Sequence, residues 1–212
     1  MLGHMSFSSA ERAKLVTLFH KLGPDAPTLC QGWSTRDLAA HLWVRENRPD
    51  AAAGMLVPQL AGRLDAAMEQ AAARDFTELV DDWGRGAGRA NPMRLVDSKI
   101  NLTEHFVHHE DVRRANGMNE QREFSAVVLG ELHKALKMLA PRMLKKSSKP
   151  VVLYPENYGR IVVADDRKVA DRGDDVVRVM GPVPELVLWV FGRDACSLKI
   201  EGDVSAVVRS TL

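Results

Sequence analysis

Apolar residues recur every three to four positions through most of the first 144 residues, which predicts a series of amphipathic helices. The first helix follows a capping-box pattern at Ser8 to Glu11 and stops at Gly23-Pro24. Ser34 caps a second helix that ends near Pro49. Further helices are predicted at 58–73, 93–116 and 124–144.

The pattern changes after the polar run from Lys145 to Pro150, where short β-branched segments alternate with turn residues. These segments predict strands at 151–154, 160–163, 176–179 and 196–200. Helices are predicted at 184–191 and, capped by Asp203, at 204–210. We therefore expect an α+β chain with a helical domain at 6–146 and a small α+β domain at 150–212.

Composition narrows the classes of partner. The chain has 212 residues, 45% of them hydrophobic and 27% charged, and its net charge of +1 gives no field for binding nucleic acid or an anionic membrane. No apolar run approaches the roughly 18 residues of a membrane helix. The two cysteines, Cys30 and Cys196, form no C-x-x-C motif, which favours a cytoplasmic location. Neither has a neighbouring histidine in the sequence, so we interpret both as inert thiols.

Candidate metal ligands concentrate on the helix predicted at 93–116. Glu104 and His108 are four residues apart and Asp111 follows three residues later, so the three share one helical face. His105 and His109 form a second pair, rotated away by roughly 100°. A carboxylate and an imidazole at this spacing can hold one metal ion if another helix supplies a third ligand, although such a pair is also common on a solvent-facing surface.

His41 is the expected third ligand because it lies mid-helix among apolar residues, where an unpaired imidazole would be costly. The alternative is a core histidine satisfied by ordinary hydrogen bonds. Two histidines and one carboxylate suit zinc, iron, manganese or nickel, and leave coordination positions open. Asp37 and Asp111 are candidates for fixing the imidazole tautomers, and Asp111 or His109 could instead complete the ligand set.

Segments in both halves of the chain resemble one family. The segment Gly32 to Leu42, which contains His41, resembles the second-helix signature of DinB-like bundles in the mycothiol-dependent maleylpyruvate isomerase family. Glu104-x-x-x-His108 is similar to the family's second motif, and 107–115 resembles an actinobacterial branch described as metal-binding proteins. The segments 181–193 and 201–203 resemble the sterol-carrier-like domain that accompanies such bundles.

The resemblance implies a four-helix bundle followed by a small sterol-carrier-like α+β domain. It also implies a divalent metal, often zinc, held by His41, Glu104 and His108, and thiol transfer or isomerisation with mycothiol as the thiol cosubstrate. The expected partners are a small-molecule thiol and an electrophile, with Arg193 as a candidate group for the carboxylate of the cofactor. We expect a monomer or a homodimer.

Two other functions use the same residues. A metal-dependent hydrolase would activate water, with Asp111 or Glu110 as the base. A non-enzymatic protein would use the metal structurally and bind an apolar ligand in its small domain, and a protein group such as Asp111 or His109 would then close the fourth coordination position.

Overall fold

A computed structural model gives the fold of the chain. It describes residues 6–55, 57–86, 98–166, 168–171, 173 and 175–210. The chain divides into two compact units, one ending at Gln121 and the other beginning at Arg122. The predicted class, a helical N-terminal part followed by a small α+β part, is confirmed.

The described secondary structure of the N-terminal unit is helical apart from one isolated β-bridge between Pro27 and Ser34. Its helices are α1 (Phe7–Leu22), α2 (Thr35–Asn47), α3 (Pro49–Ala52), α4 (Ala61–Ala72), α5 (Phe76–Gly84) and α6 (Ser98–Ala115). Helix α1 packs against α5 and α6, while α2 packs against α4 and α5. The core between them contains the fully buried side chains of Leu15, Phe19, Leu38, Leu42 and Trp83.

Local sequence accounts for where the helices begin. Ser34 caps α2 as predicted, and Asp37 completes a capping box with it. The capping box predicted at Ser8 is wrong, because Ser6 is the N-cap of α1 and accepts from the amide of Ser9. Gly23 ends α1 as predicted, with a φ of 78° that glycine tolerates without strain.

The C-terminal unit is a four-stranded sheet covered by two helices. Its elements are α7 (Ala126–Met143), β1 (Val151–Pro155), β2 (Ile161–Val163), β3 (Val177–Gly181), α8 (Val183–Val190) and β4 (Lys199–Glu201). The strand order is β2-β1-β3-β4. Strands β1 and β3 run parallel, and the two outer pairings are antiparallel. Helix α8 contacts β1 and β3, and α7 contacts α8 and β2.

Several expectations differ from the observed elements. Helix α7 belongs to the C-terminal unit because it packs on α8 and β2, whereas the sequence analysis placed it in the domain 6–146. Helices α3 and α5 had no predicted counterpart, and the strand predicted at 196–200 is observed at Lys199–Glu201. The helix predicted at 204–210 is a single 3₁₀ turn, Val204–Ala206, although Asp203 caps it as expected. The part of the predicted helix 93–116 that precedes Ser98 lies outside the described residues.

Within the described part of the chain, no helix is both long enough and apolar enough to cross a membrane.

Candidate metal site

Helices α2 and α6 bring together the three residues predicted as metal ligands. One donor atom from each of His41, Glu104 and His108 lies within 4.8 Å of the other two. The Nε2 atom of His108 is 3.3 Å from a carboxylate oxygen of Glu104. The rings of His41 and His108 meet edge to face, with centroids 5.4 Å apart. Two imidazoles and one carboxylate thus converge on one point, which is a donor set that fits a divalent transition metal.

Two neighbours that the sequence analysis did not assign to the site, Trp33 and Arg45, contact these side chains. The ring of Trp33 lies 5.1 Å from that of His41, centroid to centroid. The Nε atom of Arg45 is 3.6 Å from Glu104, and its Nη1 donates to the Asn101 side chain at 2.9 Å. Arg45 is four residues after His41 on α2, so helical spacing could have indicated that both side chains reach the same region.

The electrostatics of the site favour a charged pair. Burial raises the pKa of Glu104, but the hydrogen bond from His108 and the positive charges of Arg45, His108 and His41 outweigh it and hold that pKa below its ordinary value. Burial lowers the pKa of His108, but hydrogen bonds to Asp111, Cys30 and Glu104 outweigh it and raise that pKa well above the ordinary value. Both shifts favour the charged forms, a carboxylate on Glu104 and an imidazolium on His108, and a metal ion bound there would compete with the proton of His108.

Cys30 lies beside the site, which corrects the interpretation that neither cysteine has a histidine neighbour. Its Sγ atom is 3.8 Å from Nδ1 of His108, and the thiol donates to Oδ2 of Asp111 at 3.3 Å. The same Asp111 oxygen lies 2.9 Å from Nδ1 of His108. Cys30 and His108 are 78 residues apart, so their proximity depends on how the loop before α2 packs on α6.

The remaining candidate residues have other contacts. The carboxylate of Asp37 accepts from the amide and the hydroxyl of Ser34, at 2.8 and 2.7 Å, and so acts at the start of α2. His109 pairs with Glu11 of α1 at 2.9 Å. These contacts do not support the roles considered for Asp37 and His109 beside the metal. Arg193 follows α8 in the C-terminal unit, where its guanidinium donates to the carbonyl of Phe191.

The fold and this cluster define a class of protein: a helical domain in which two helices present a His/Glu/His set, followed in the chain by a small α+β unit. The family resemblance stated from the sequence is confirmed. Residues 8–98 match the family model described as the Mycothiol maleylpyruvate isomerase N-terminal domain. The matched range contains His41 and ends before Glu104 and His108.

Two solved structures share the fold. The crystal structure of a histidine-to-alanine mutant of the mycothiol-dependent maleylpyruvate isomerase is similar with a TM-score of 0.56 at 16% identity, covering 95% of this chain and 92% of that one. A second crystal structure of that isomerase is similar with a TM-score of 0.50 at 18% identity and the same coverage. At these identities the likeness shows the fold alone. No curated protein sequence matches this chain significantly.

Proposed function

We propose that the chain binds one divalent metal ion, zinc first, through His41, Glu104 and His108, and that this site serves a mycothiol-dependent transferase or isomerase. The observation that carries the proposal is the convergence of three donor atoms within 4.8 Å from two helices. The family match over residues 8–98 supports a low-molecular-weight thiol as the cosubstrate. Bound there, the metal would lower the pKa of a coordinated thiol and hold it as a thiolate nucleophile.

The residues of the chain would bind and orient rather than attack. Glu104 supplies a carboxylate that is already ionised, since its pKa is lowered. His41 and His108 supply imidazoles from two different helices, which fixes the distance between them by the packing of the unit. Three protein ligands leave positions for a thiol and an electrophile. We also propose Arg193 as a group for the carboxylate of the cofactor, and we keep a cytoplasmic location and a monomeric or homodimeric state as predictions.

The contacts of the two candidate bases argue against the hydrolase. Glu110 is 2% exposed, and its carboxylate accepts from Arg113 and Arg114 at 2.8 to 3.1 Å. Asp111 is fully buried beside His108 and Cys30. A general base needs to reach a substrate or a water molecule, and these carboxylates face protein partners instead.

The contacts also bear on the non-enzymatic alternative, in which a protein group closes the fourth position. His109 faces Glu11 of α1. Asp111 contacts the Nδ1 edge of His108, whereas Glu104 contacts the Nε2 edge. This arrangement supports an open site and therefore favours the enzyme over the purely structural metal.

The first test is metal content, measured by mass spectrometry on protein purified without chelators or nickel resin. We expect near-stoichiometric metal in the unaltered chain and its loss in folded His41→Ala, Glu104→Ala and His108→Ala variants. His20→Ala is the matched control, since His20 pairs with Asp81 at 2.8 Å on the surface of the same unit. No metal in the unaltered chain under metal-replete conditions would refute the site.

The second test is thiol chemistry. The metal-loaded chain is incubated with mycothiol and a panel of electrophiles that includes maleylpyruvate, and thiol consumption and isomerisation are followed. We expect turnover that His108→Ala abolishes. Stoichiometric metal without any thiol-dependent turnover would instead favour the binding protein, and turnover without thiol would favour the hydrolase.

A further inference from the structure

The imidazole of His108 is held from both edges by carboxylates. Its Nε2 edge faces Glu104 at 3.3 Å, inside the candidate metal site. Its Nδ1 edge faces Oδ2 of Asp111 at 2.9 Å. The thiol of Cys30 donates to that same Oδ2 atom at 3.3 Å. A chain of contacts therefore runs from Cys30 through Asp111 to the ring of His108.

Cys30 is held in place by hydrogen bonds within its loop and by hydrogen bonds from that loop to α6 and to the residue that follows α6. The amide of Leu29 donates to the carbonyl of Asp111 at 3.2 Å. The side chain of Asn116 donates to the carbonyl of Pro27 at 3.0 Å. The amide of Cys30 itself donates to the hydroxyl of Thr28 at 3.1 Å. These bonds fix the loop before α2 along α6, so the thiol is fixed relative to Asp111.

We infer that Asp111 and Cys30 are a positioning pair that orients His108, with Asp111 accepting from Nδ1–H of the imidazole and Cys30 donating its thiol proton to Asp111. This inference rests on the proposed metal site and deepens it. A histidine that binds a metal commonly donates its other N–H to a carboxylate, which fixes the tautomer and the ring orientation. The thiol would in turn fix the carboxylate, since it donates to the oxygen that faces the ring.

The alternative role for the same atoms is direct metal binding. One donor atom each from Cys30, His108 and Asp111 also lies within 4.8 Å of the other two. Those residues could bind a thiophilic metal directly through the thiolate and Nδ1. The 2.9 Å separation of Nδ1 and Oδ2 is a hydrogen-bond distance, and one carboxylate oxygen serves both donors, which favours the positioning pair.

Zinc affinity tests the inference when it is measured on the full chain by competition with a chromophoric chelator. We expect Asp111→Ala to lower the affinity by about 10- to 100-fold, and Cys30→Ala by less than about 10-fold. The double variant should bind zinc as Asp111→Ala does, because Cys30 acts through Asp111. Cys30→Ser keeps a donor and should bind zinc nearly as the unaltered chain does.

Two control variants remove a thiol or a carboxylate that is hydrogen-bonded to a group other than His108. Cys196→Ala removes the second thiol, which donates to the Arg193 carbonyl in the other unit. Asp81→Ala removes a carboxylate from the His20 pair on the surface. Both should leave zinc affinity unchanged. Asp111 is fully buried, so Asp111→Asn, which keeps the size and one acceptor oxygen, serves if Asp111→Ala fails to fold.

The outcomes separate the two proposals. Unchanged zinc affinity in folded Asp111→Ala, or losses that add in the double variant, would overturn the positioning pair alone. A sulfur-to-metal charge-transfer band in the cobalt-substituted chain that Cys30→Ala removes would overturn it in favour of direct thiolate ligation. No zinc binding by the unaltered chain would overturn the proposed function and the positioning pair with it.

Discussion

The Nε2 atom of His105 lies 3.1 Å from Oε1 of Glu46, although His105 directly follows the candidate ligand Glu104 in sequence. The same Glu46 oxygen accepts from the indole N–H of Trp83 at 3.0 Å, and Arg12 pairs with its carboxylate at 2.8 Å. Helix α6 therefore divides its ionisable residues between two environments. Glu104 and His108 approach His41 of α2 at the candidate metal site, while His105 takes part in a network with Glu46 near the end of α2, Arg12 of α1 and Trp83 of α5.

Glu46→Gln tests that network. Burial raises the pKa of Glu46, but the hydrogen bond from His105 and the charge of Arg12 outweigh it, so the pKa lies below its ordinary value of about 4.5. The unfolded chain therefore takes up a proton at higher pH than the folded chain does. The stabilisation from Glu46 is complete above the ordinary pKa and is lost as the pH falls through the lowered one.

We expect Glu46→Gln to lower the free energy of unfolding by about 2–4 kcal/mol at neutral pH, because Arg12 and His105 lose their buried anion. Below about pH 4.5, the stability of the variant should also fall less with decreasing pH than that of the unaltered chain. Urea unfolding at several pH values, followed by circular dichroism, measures both effects. The control is Glu69→Gln, since Glu69 is exposed on α4. If the stability of Glu46→Gln fell with decreasing pH as steeply as that of the unaltered chain, Glu46 would not be the source of this pH dependence.

His109→Ala separates stability from metal binding. His109 is 5% exposed and pairs with Glu11, which is fully buried, so removing the imidazole leaves a buried carboxylate without this partner. We expect a loss of about 3–5 kcal/mol in stability, with metal content unchanged in the folded fraction. Loss of metal from a folded His109→Ala variant would indicate that His109 is itself a metal ligand.

The sequence was sufficient to predict features that depend on residues only a few positions apart. The proximity of Glu104 and His108 was predicted from their spacing on one helix, and the N-cap Ser34 from its place before an apolar pattern. Helix α5 was missed although a local signal was present. Phe76, Leu79, Val80 and Trp83 follow helical spacing and are buried, and Asp75 caps the helix.

Long-range packing decided what the sequence could not show. Cys30 approaches Asp111 across 81 residues, and no periodicity links a loop before α2 to a side chain near the end of α6. The same limit applies to α7, whose helical pattern was correct and whose packing partners were not. An amphipathic pattern indicates that one face is buried, but it does not identify the surface that covers it.

Asp37→Ala tests whether this carboxylate acts only at the start of α2. Its oxygen accepts from both the amide and the hydroxyl of Ser34, so we expect a loss of about 0.5–2 kcal/mol in stability. Ser34→Ala should cost a similar amount, and neither variant should change zinc affinity. The measurement is thermal unfolding together with the chelator competition. A drop in zinc affinity as large as that of Asp111→Ala would mean that Asp37 supports His41.

Arg45→Gln should change how strongly zinc stabilises the chain. The guanidinium lies 3.6 Å from Glu104 and compensates its charge in the metal-free protein, where Arg45 and Glu104 side chains are 9% and 11% exposed. A bound metal cation would take over that compensation and would repel Arg45. Removing Arg45 should therefore destabilise the metal-free chain by about 1–3 kcal/mol and the zinc-bound chain by less.

The measurement is the melting temperature of the full chain with chelator and with zinc. We expect zinc to raise the melting temperature more in Arg45→Gln than in the unaltered chain. In the variant, zinc supplies the positive charge beside Glu104 that Arg45 no longer provides, so its binding adds more stability. Arg63→Gln on the exposed face of α4 is the control and should leave the increase unchanged. A smaller increase in Arg45→Gln would show that Arg45 holds Glu104 in its metal-binding position, and its contribution would then lie in orientation rather than in charge.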